Sequence, residues 1–321
     1  MKLGVLTVLF QDKSFSETCK LLAGMGVQSL EIGCGGYPGR AHCDPRQLLS
    51  DAKALAAFQA AVADNGLQIS ALSAHGNPVH PDPSVAHAAH DDFVGALEMA
   101  EVLGVDTVVT FSGCPGGCAA DRTPNWSIAP WPDDFQKIRE YQWNEVLIPY
   151  WEKTAKLAAE HGVSKIALEM HPGFAVYNPE TCLRLRRAVG PAIGANFDPS
   201  HLFWQGIDPA VAIRALAGAI YHFHAKDTKI DPTNTAANGV LDTKPFTDET
   251  NRSWLFRTVG YGHGQQVWRD ILSALRLAGY DGVISIEHED SLMSVPEGLR
   301  RAVEFLKESI LFEGKTEAWW A

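Results

Sequence analysis

Four segments of the chain place carboxylate and imidazole side chains directly after an apolar run. They are Leu168-Glu169-Met170-His171, Asn196-Phe197-Asp198-Pro199, His222-Phe223-His224-Ala225-Lys226 and Ser285-Ile286-Glu287-His288. Carboxylates can remove and return protons, and a mixture of carboxylate and imidazole is a donor set for divalent metals. The four segments therefore predict an acid–base or metal site if the fold brings them together.

Alternation within each segment indicates which side chains point the same way. In a strand, successive side chains face opposite sides, so Leu168 and Met170 share one face while Glu169 and His171 share the other. The apolar pair is expected to meet helices, which directs Glu169 and His171 to the opposite side. The same alternation selects three further sets: Asn196 with Asp198, His222 with His224 and Lys226, and Ser285 with Glu287.

Eight apolar runs have the length and composition of strands, and they alternate with helical patterns. The strand-like runs cover 3–8, 28–33, 68–74, 106–111, 165–170, 193–197, 220–225 and 283–286. Helical patterns include 51–64, 91–103, 144–161, 179–189, 209–217, 266–278 and 296–308. Eight strand–helix units without a linker predict an α/β fold, a single (β/α)₈ TIM barrel forming one domain over residues 1–321.

Two connections are too long for ordinary loops, and both are predicted to be structureless covers over the site. They span 113–134, which is rich in Pro, Gly and Trp, and 227–259. Trp126 in the first of them either contacts a ligand or packs against the barrel rim.

In a barrel of this kind the site lies at the C-terminal ends of the strands. Four consecutive strands then bring Glu169, Asp198, His224 and Glu287 into one small volume. Three crowded carboxylates repel one another unless a cation lies among them, so we expect these residues to bind a divalent metal ion. Mn²⁺ is favoured, and Mg²⁺, Co²⁺, Fe²⁺ and Zn²⁺ suit the same donors. For any one residue alone, a role as a cap or ion-pair partner is the alternative.

Other inward-facing polar residues are candidates for substrate contact. Glu31 and His75, at the ends of strands two and three, either bind substrate hydroxyl groups or form hydrogen bonds within the barrel. His222 and Lys226 are further candidates for substrate contact, and His171 and His201 are candidate catalytic groups, since such groups change charge near pH 7 after modest shifts of their pKa.

Charge and composition restrict the partners. The 321 residues carry 27 basic and 38 acidic side chains, a net charge of −11, which disfavours nucleic acids and anionic membranes. The apolar start without a leader pattern and the six dispersed cysteines lead us to expect a cytoplasmic protein with reduced thiols. The terminal Trp319-Trp320 pair predicts a tail that docks on the barrel or on another subunit, and hence a homo-oligomer.

The same motifs resemble those of a known family. Glu169-Met170-His171-Pro172-Gly173, Asn196-Phe197-Asp198-Pro199-Ser200-His201, His222-Phe223-His224-Ala225-Lys226-Asp227 and Ser285-Ile286-Glu287-His288-Glu289-Asp290 are similar to motifs of xylose-isomerase-like barrels. The similarity is closest to the sugar phosphate isomerase/epimerase group, which includes keto-sugar 3-epimerases and inosose dehydratase. The resemblance covers nearly the whole chain. It implies that Glu169, Asp198, His224 and Glu287 bind the metal, that His201 touches substrate, and that the two glutamates flank the reacting carbon.

Together the residues and the resemblance predict a divalent-metal-dependent sugar isomerase/epimerase. Such an enzyme abstracts a proton next to a carbonyl and passes through a metal-stabilised enediolate. The alternative is a metal-dependent lyase or dehydratase that eliminates from a 3-keto-glycoside or an inosose. Two departures from the keto-sugar 3-epimerase pattern favour it: Ile230 stands where those enzymes have arginine, and His171 is an addition.

Two further functions are less favoured. A nuclease of the endonuclease IV type needs a histidine after strand four, where this chain has Ser112 and Gly113. A non-catalytic sugar-binding protein should have lost at least one of the four ligands, and all four are present. The turn Gly260 to Gly264 either offers backbone N–H groups to an anionic group of the substrate or is a plain helix-entry turn.

Overall fold

The computed structural model describes residues 1–321, and eight parallel strands in it form a closed barrel. The barrel strands are β1 (Lys2–Leu6), β2 (Ser29–Gly33), β3 (Gln68–Ser73), β4 (Thr107–Phe111), β5 (Lys165–Glu169), β6 (Ile193–Phe197), β7 (Ile220–Ala225) and β10 (Val283–Ile286). Their order around the barrel is β1-β10-β7-β6-β5-β4-β3-β2. Two more strands, β8 (Asp227–Ile230) and β9 (Trp254–Arg257), pair antiparallel outside the barrel. The predicted TIM barrel is confirmed.

Twelve α-helices connect the strands. They are α1 (Phe15–Gly24), α2 (Pro45–Ser50), α3 (Ala52–Ala63), α4 (Pro83–Leu103), α5 (Asp133–Tyr141), α6 (Ile148–Glu160), α7 (Pro179–Val189), α8 (Pro199–Phe203), α9 (Pro209–Ala215), α10 (Pro232–Asn238), α11 (Gln265–Leu277) and α12 (Val295–Lys307). A π-helical turn at Gln142–Leu147 joins α5 to α6, and a short 3₁₀ helix at Thr7–Phe10 follows β1. No helix is both long and apolar enough to cross a membrane.

Local sequence signals explain where these elements begin and end. Helix α7 begins at Pro179 because Asn178 caps it, its side chain accepting a hydrogen bond from the backbone N–H of Thr181. Helix α4 ends at Gly104, whose φ of 68° a residue with a side chain rarely adopts, and the chain then enters β4. As a result, short connections join these helices to the strands that follow them.

One hydrophobic core lies between the barrel and its helices. It contains 62 buried residues and extends from Met1 to Ile310, so helices from both halves of the chain contribute to the same core. The two largest fully buried side chains are Trp151 on α6 and Trp268 on α11. We interpret this shared core as that of one domain.

The structure corrects the prediction for residues 227–259. They are not structureless, because β8, α10 and β9 lie within them. The pairing joins Asp227 to Arg257 and Ile230 to Trp254, residues too far apart in sequence for a local pattern to connect. The segment 113–134 has no regular helix or strand before Asp133, as predicted.

The C-terminal tail does not pack on the barrel. The side chains of Trp319 and Trp320 are 86% and 73% exposed. Docking on another subunit, and the homo-oligomer it implies, stay predictions.

Candidate metal centre and active site

Four side chains from four neighbouring strands meet at the C-terminal mouth of the barrel. Glu169 ends β5, Asp198 directly follows β6, His224 lies near the end of β7, and Glu287 directly follows β10. One ligand atom from each lies within 4.8 Å of the others. The strand register produces this convergence, since Glu169 pairs with Asn196, two residues before Asp198.

The donor atoms of this cluster fit a divalent cation. Asp198 Oδ2, His224 Nδ1 and Glu287 Oε2 are buried, and although these atoms lie close to one another and to Lys226, none of them makes a well-directed hydrogen bond. Buried polar atoms are almost always hydrogen-bonded, so three atoms in one place that lack a well-directed hydrogen bond indicate a missing partner. Carboxylate oxygens and an imidazole nitrogen are the donors that Mn²⁺, Fe²⁺ and Zn²⁺ accept. These four residues could therefore hold one divalent metal ion.

Lys226 contributes positive charge to the same cluster. Its Nζ lies 3.2 Å from Asp198 Oδ2, 2.9 Å from Glu287 Oε2 and 3.1 Å from Glu289 Oε2. Burial alone would lower the pKa of Lys226, but the carboxylates around it, with Glu287 the largest contributor, hold the pKa well above its usual value. The side chain therefore stays protonated beside the candidate metal ligands.

Glu31 lies beneath the cluster and orients His224. Both Glu31 carboxylate oxygens accept from His224 Nε2, at 3.0 and 2.9 Å. Glu31 also accepts hydrogen bonds from Ser285 Oγ at 2.8 Å and from Ser73 Oγ. A carboxylate that accepts from one ring nitrogen fixes the other nitrogen as the metal-facing atom, here Nδ1.

Glu31 and His222 were candidates for substrate contact, with hydrogen bonding inside the barrel as the alternative for Glu31, and the position of both side chains agrees with the barrel role. Neither side chain lines the cavity at the barrel mouth. His222 is 2% exposed, with its ring nitrogens 3.2 Å from Asn196 Oδ1 and 3.3 Å from Ser70 Oγ. The polar atoms of both residues form hydrogen bonds to other barrel residues. We therefore assign both side chains to a hydrogen-bonded layer inside the barrel.

Three side chains donate hydrogen bonds to Glu169. His201 Nε2 lies 3.0 Å from Oε1, while His75 Nε2 and Asn196 Nδ2 lie 3.0 and 3.2 Å from Oε2. Burial alone would raise the pKa of Glu169, but the hydrogen bond from His201 and those from its neighbours hold the pKa well below its usual value. Glu169 is therefore ionised at neutral pH.

The other two carboxylates of the cluster differ in their pKa. Burial would raise the pKa of Glu287, but the positive charges of Lys226 and His224 lower it to about 2. Burial raises the pKa of Asp198 to about 7, since repulsion from Glu169 and Glu287 adds to the burial and Lys226 offsets only part of it. Without a metal ion, Asp198 thus holds a proton for part of the time at neutral pH.

Two neutral imidazoles stand beside Glu169. Burial lowers the pKa of His201 to about 3, and burial also lowers the pKa of His171. Their ring centroids are 4.0 Å apart. His171 Nδ1 donates to the carbonyl oxygen of Pro172 at 2.6 Å, which leaves Nε2 as the unprotonated nitrogen of the neutral ring. His171 therefore has an unprotonated ring nitrogen next to the site.

A cavity of about 390 Å³ opens above the cluster, a size suited to a small molecule. Its polar wall consists of His75, Glu169, His171, Lys226, Glu287 and Glu289. Tyr37, Phe111 and Phe174 form much of its apolar wall. Sequence reasoning missed Glu289, although its position two residues after Glu287 places it on the same face.

The remaining sequence candidates lie at the edge of this cavity or outside it. Trp126 Nε1 donates to the carbonyl oxygen of Phe174 at 2.9 Å, so the indole packs at the rim. The backbone N–H groups of Gly260, Gly262 and His263 donate to Asp227 Oδ2 at 2.9–3.1 Å. A carboxylate of the protein already fills this turn, so the plain-turn interpretation is the correct one.

Comparisons with known proteins agree with this architecture. Residues 19–309 match the family model described as xylose isomerase-like TIM barrel. The chain is 41% identical over 313 residues to the uncharacterized protein YfiH of Bacillus subtilis (strain 168), a match that covers 97% of this chain and 99% of that protein. It is 26% identical over 173 residues to an inosose dehydratase of Geobacillus thermodenitrificans (strain NG80-2), covering 53% and 55% of the two chains.

Among solved structures, one similar fold is the IOLI protein with a bound zinc atom. The TM-score is 0.66 at 19% identity, and the match covers 97% of this chain and 98% of that one. At this identity the likeness supports the fold alone. Because the family model covers most of the residues and YfiH matches along nearly the full length, the chain belongs to the xylose isomerase-like TIM-barrel family.

Proposed function

We propose that the protein is a divalent-metal-dependent sugar isomerase or epimerase that moves a proton on a carbon next to a carbonyl group. The observation that carries this proposal is the pair of ionised glutamates, Glu169 and Glu287, in the wall of one small cavity. Strands β6 and β7 lie between β5 and β10, so the two carboxylates reach the cavity from different sides, with one oxygen of each within 4.8 Å of the other. Such an arrangement suits attack on two faces of one carbon.

The side chains around the cavity have distinct roles in this proposal. One glutamate removes a proton from the carbon acid, and a proton returned from the other face inverts that carbon. His75 and His201, which both donate to Glu169, are the neighbouring groups that can carry a proton to it. Lys226 binds a substrate oxygen. A divalent cation held by Glu169, Asp198, His224 and Glu287 would supply Lewis acidity toward the substrate oxygens.

Proton exchange with solvent tests the proposal. The protein is incubated with Mn²⁺ in deuterated water with ketohexoses, inososes and 3-keto-glucosides, and the products are followed by NMR. Deuterium should enter the carbon next to the carbonyl while the carbon skeleton and its substituents are retained. The absence of exchange and of product with every sugar would contradict the proposal.

A lyase or dehydratase is the second candidate, and His171 favours it. Elimination needs a base and a separate general acid near the leaving oxygen, and the neutral His171 lines the cavity as a base that does not belong to the metal-ligand group. The inosose dehydratase similar to part of this chain is named for such a reaction. In the exchange experiment, loss of water or of an aglycone would select this candidate.

Replacing Glu31 with glutamine should weaken metal binding about 10- to 100-fold, since residues that orient a ligand from behind have effects of this size. The change keeps the shape of the side chain but removes the charge that accepts from His224 Nε2. Calorimetric titration with Mn²⁺ gives the affinity. Glu98→Gln, an exposed position on α4, is the matched control and should bind as the unaltered protein does. If both variants bind Mn²⁺ with equal affinity, Glu31 does not orient His224 for metal binding.

Metal binding should release protons and strengthen as pH rises. The pKa of His224 is raised well above its usual value, chiefly by Glu31 and Glu287 against the effect of burial, so Nδ1 must lose a proton to bind metal. Asp198 has a pKa of about 7, so below that pH it carries a proton that it must lose to bind metal. Below pH 7 the affinity should therefore fall by about 10- to 100-fold per pH unit. Titration calorimetry in buffers of different ionisation enthalpy counts the protons, and an affinity unchanged from pH 6 to 8 would contradict this.

A further inference from the structure

A second cavity of about 520 Å³ lies beside the first. His171 and Glu289 line both cavities, so the two spaces meet at these side chains. Residues of the β8–β9 hairpin and of the connection between its strands form most of the second wall. A sugar bound over Glu169 and Glu287 would therefore have this second space directly next to it.

Aromatic rings extend from the metal cluster into the second cavity. Lys226 Nζ lies 4.6 Å from the ring centroid of Phe256, which is 5.3 Å from Trp254 and 5.6 Å from Phe246. Trp254 in turn stacks on Trp204, with centroids 4.7 Å apart and the rings within 5° of parallel. Phe246 is 53% exposed and the other three rings are less than a tenth exposed, so a planar or weakly puckered ring with an apolar face would stack chiefly on Phe246.

The second wall is held in place by its own contacts. Trp254 Nε1 donates to the carbonyl oxygen of Val240 at 3.0 Å, and the backbone N–H of Ser253 donates to Asp242 Oδ2 at 2.6 Å. The Arg252 guanidinium, 3% exposed, lies 4.2 Å from the Phe246 ring and 4.7 Å from the Trp254 ring. The aromatic surface is therefore preformed, which lowers the entropic cost of binding a ring.

We propose that the cavity lined by Trp204, Phe246, Trp254 and Phe256 is a subsite for a second ring, and that the natural substrate is a glycoside. This inference rests on the proposed function for the position of the reacting sugar. A free monosaccharide occupies only the first cavity, whereas a glycoside also occupies the aromatic one. The second ring is an aryl aglycone or another sugar, since both present an apolar face that stacks on indole and phenyl rings.

Binding of unreactive ligands tests the subsite separately from turnover. The affinities of methyl and phenyl β-glycosides of glucose and galactose, and of cellobiose and lactose, are measured by calorimetry on the full chain with Mn²⁺. At least one two-ring ligand should bind about tenfold or more tightly than the methyl glycoside of the same sugar. A preference for the phenyl glycoside identifies an aryl aglycone, and a preference for the disaccharide identifies a sugar. Methyl glycosides that bind as well as every two-ring ligand would overturn the proposal.

A variant locates the effect on the aromatic wall. Phe246 is 53% exposed, so Phe246→Ala is expected to fold. In this variant the two-ring advantage should fall to about threefold or less, because one stacking face is lost. Phe312→Ala is the matched control, since Phe312 is 44% exposed and lies outside both cavities, and it should keep the full advantage. An undiminished advantage in Phe246→Ala would remove this wall from the subsite. A two-ring preference without proton exchange on any sugar would keep the subsite and reject the proposed function.

Discussion

Replacing Glu287 with glutamine is expected to lower kcat/KM by about 10³-fold or more and to weaken Mn²⁺ binding in the same protein. The variant keeps the size of the side chain but loses the basic carboxylate and the charge at Oε2. That oxygen is buried and lies 3.0 Å from His224 Nδ1 and 2.9 Å from Lys226 Nζ. Steady-state kinetics on the substrate found by deuterium exchange and calorimetric titration with Mn²⁺ measure the two effects.

Glu289→Gln is the matched control for this variant. Glu289 lines the same cavity and also pairs with Lys226, but it does not belong to the four-residue metal-ligand group. Its replacement removes the same charge but no metal ligand. Its effect on Mn²⁺ affinity should therefore be less than a tenth of that of Glu287→Gln. If Glu287→Gln has normal activity and normal metal affinity, the assignment of the site is wrong.

Removal of divalent metal is expected to abolish turnover, and added Mn²⁺ should restore it. Without a cation, Glu169, Asp198 and Glu287 remain crowded, with only Lys226 and His224 to balance their charge. A bound cation also stabilises the fold, by about 2.7 kcal/mol when its concentration is a hundred times Kd. Activity and thermal unfolding are measured after dialysis against a chelator and again after metal is returned.

A variant of one metal-binding residue serves as the control for this experiment. Asp198→Asn keeps the side-chain volume, and its amide oxygen can still accept from the backbone N–H of Ser200 as the carboxylate does at 2.8 Å. In this variant the rise in unfolding temperature on adding Mn²⁺ should be much smaller than in the unaltered protein. Activity that survives chelation in the unaltered protein would contradict a metal-dependent reaction.

The parts of the site that the sequence could predict depend on short-range periodicity. Leu168 and Met170 are fully buried, and Glu169 between them belongs to the ligand group at the barrel mouth, as the period of two requires. The same period selected Asp198, His224 and Glu287. Parallel strands in register make such local patterns sufficient, because the ends of neighbouring strands lie side by side.

The supporting residues could not be assigned in this way. Glu31 and His224 are 193 residues apart, and their hydrogen bond depends on how the barrel closes between β2 and β7. The aromatic wall depends on a pairing between Asp227 and Arg257 across a long connection. No short-range sequence pattern connects residues that lie so far apart in the chain.

The start of the helical segment around α5 was predicted wrongly. The sequence indicated a helix from residue 144, but α5 begins at Asp133 and continues through the π-helical turn into α6. No residue of α5 is fully buried, but Phe135, Ile138 and Tyr141 recur at helical spacing, so the sequence carried a signal that the prediction missed. By contrast, α7 was predicted over 179–189 and occupies Pro179–Val189, because its capping residue and buried positions are both visible in the sequence.

The most direct test of the metal centre is anomalous diffraction from a crystal grown with Mn²⁺. We expect a single strong peak at the mouth of the barrel, within coordination distance of Glu169, Asp198, His224 and Glu287, with Glu31 still hydrogen-bonded to His224 Nε2. A peak at another place, or none at a saturating concentration of Mn²⁺, would contradict the account.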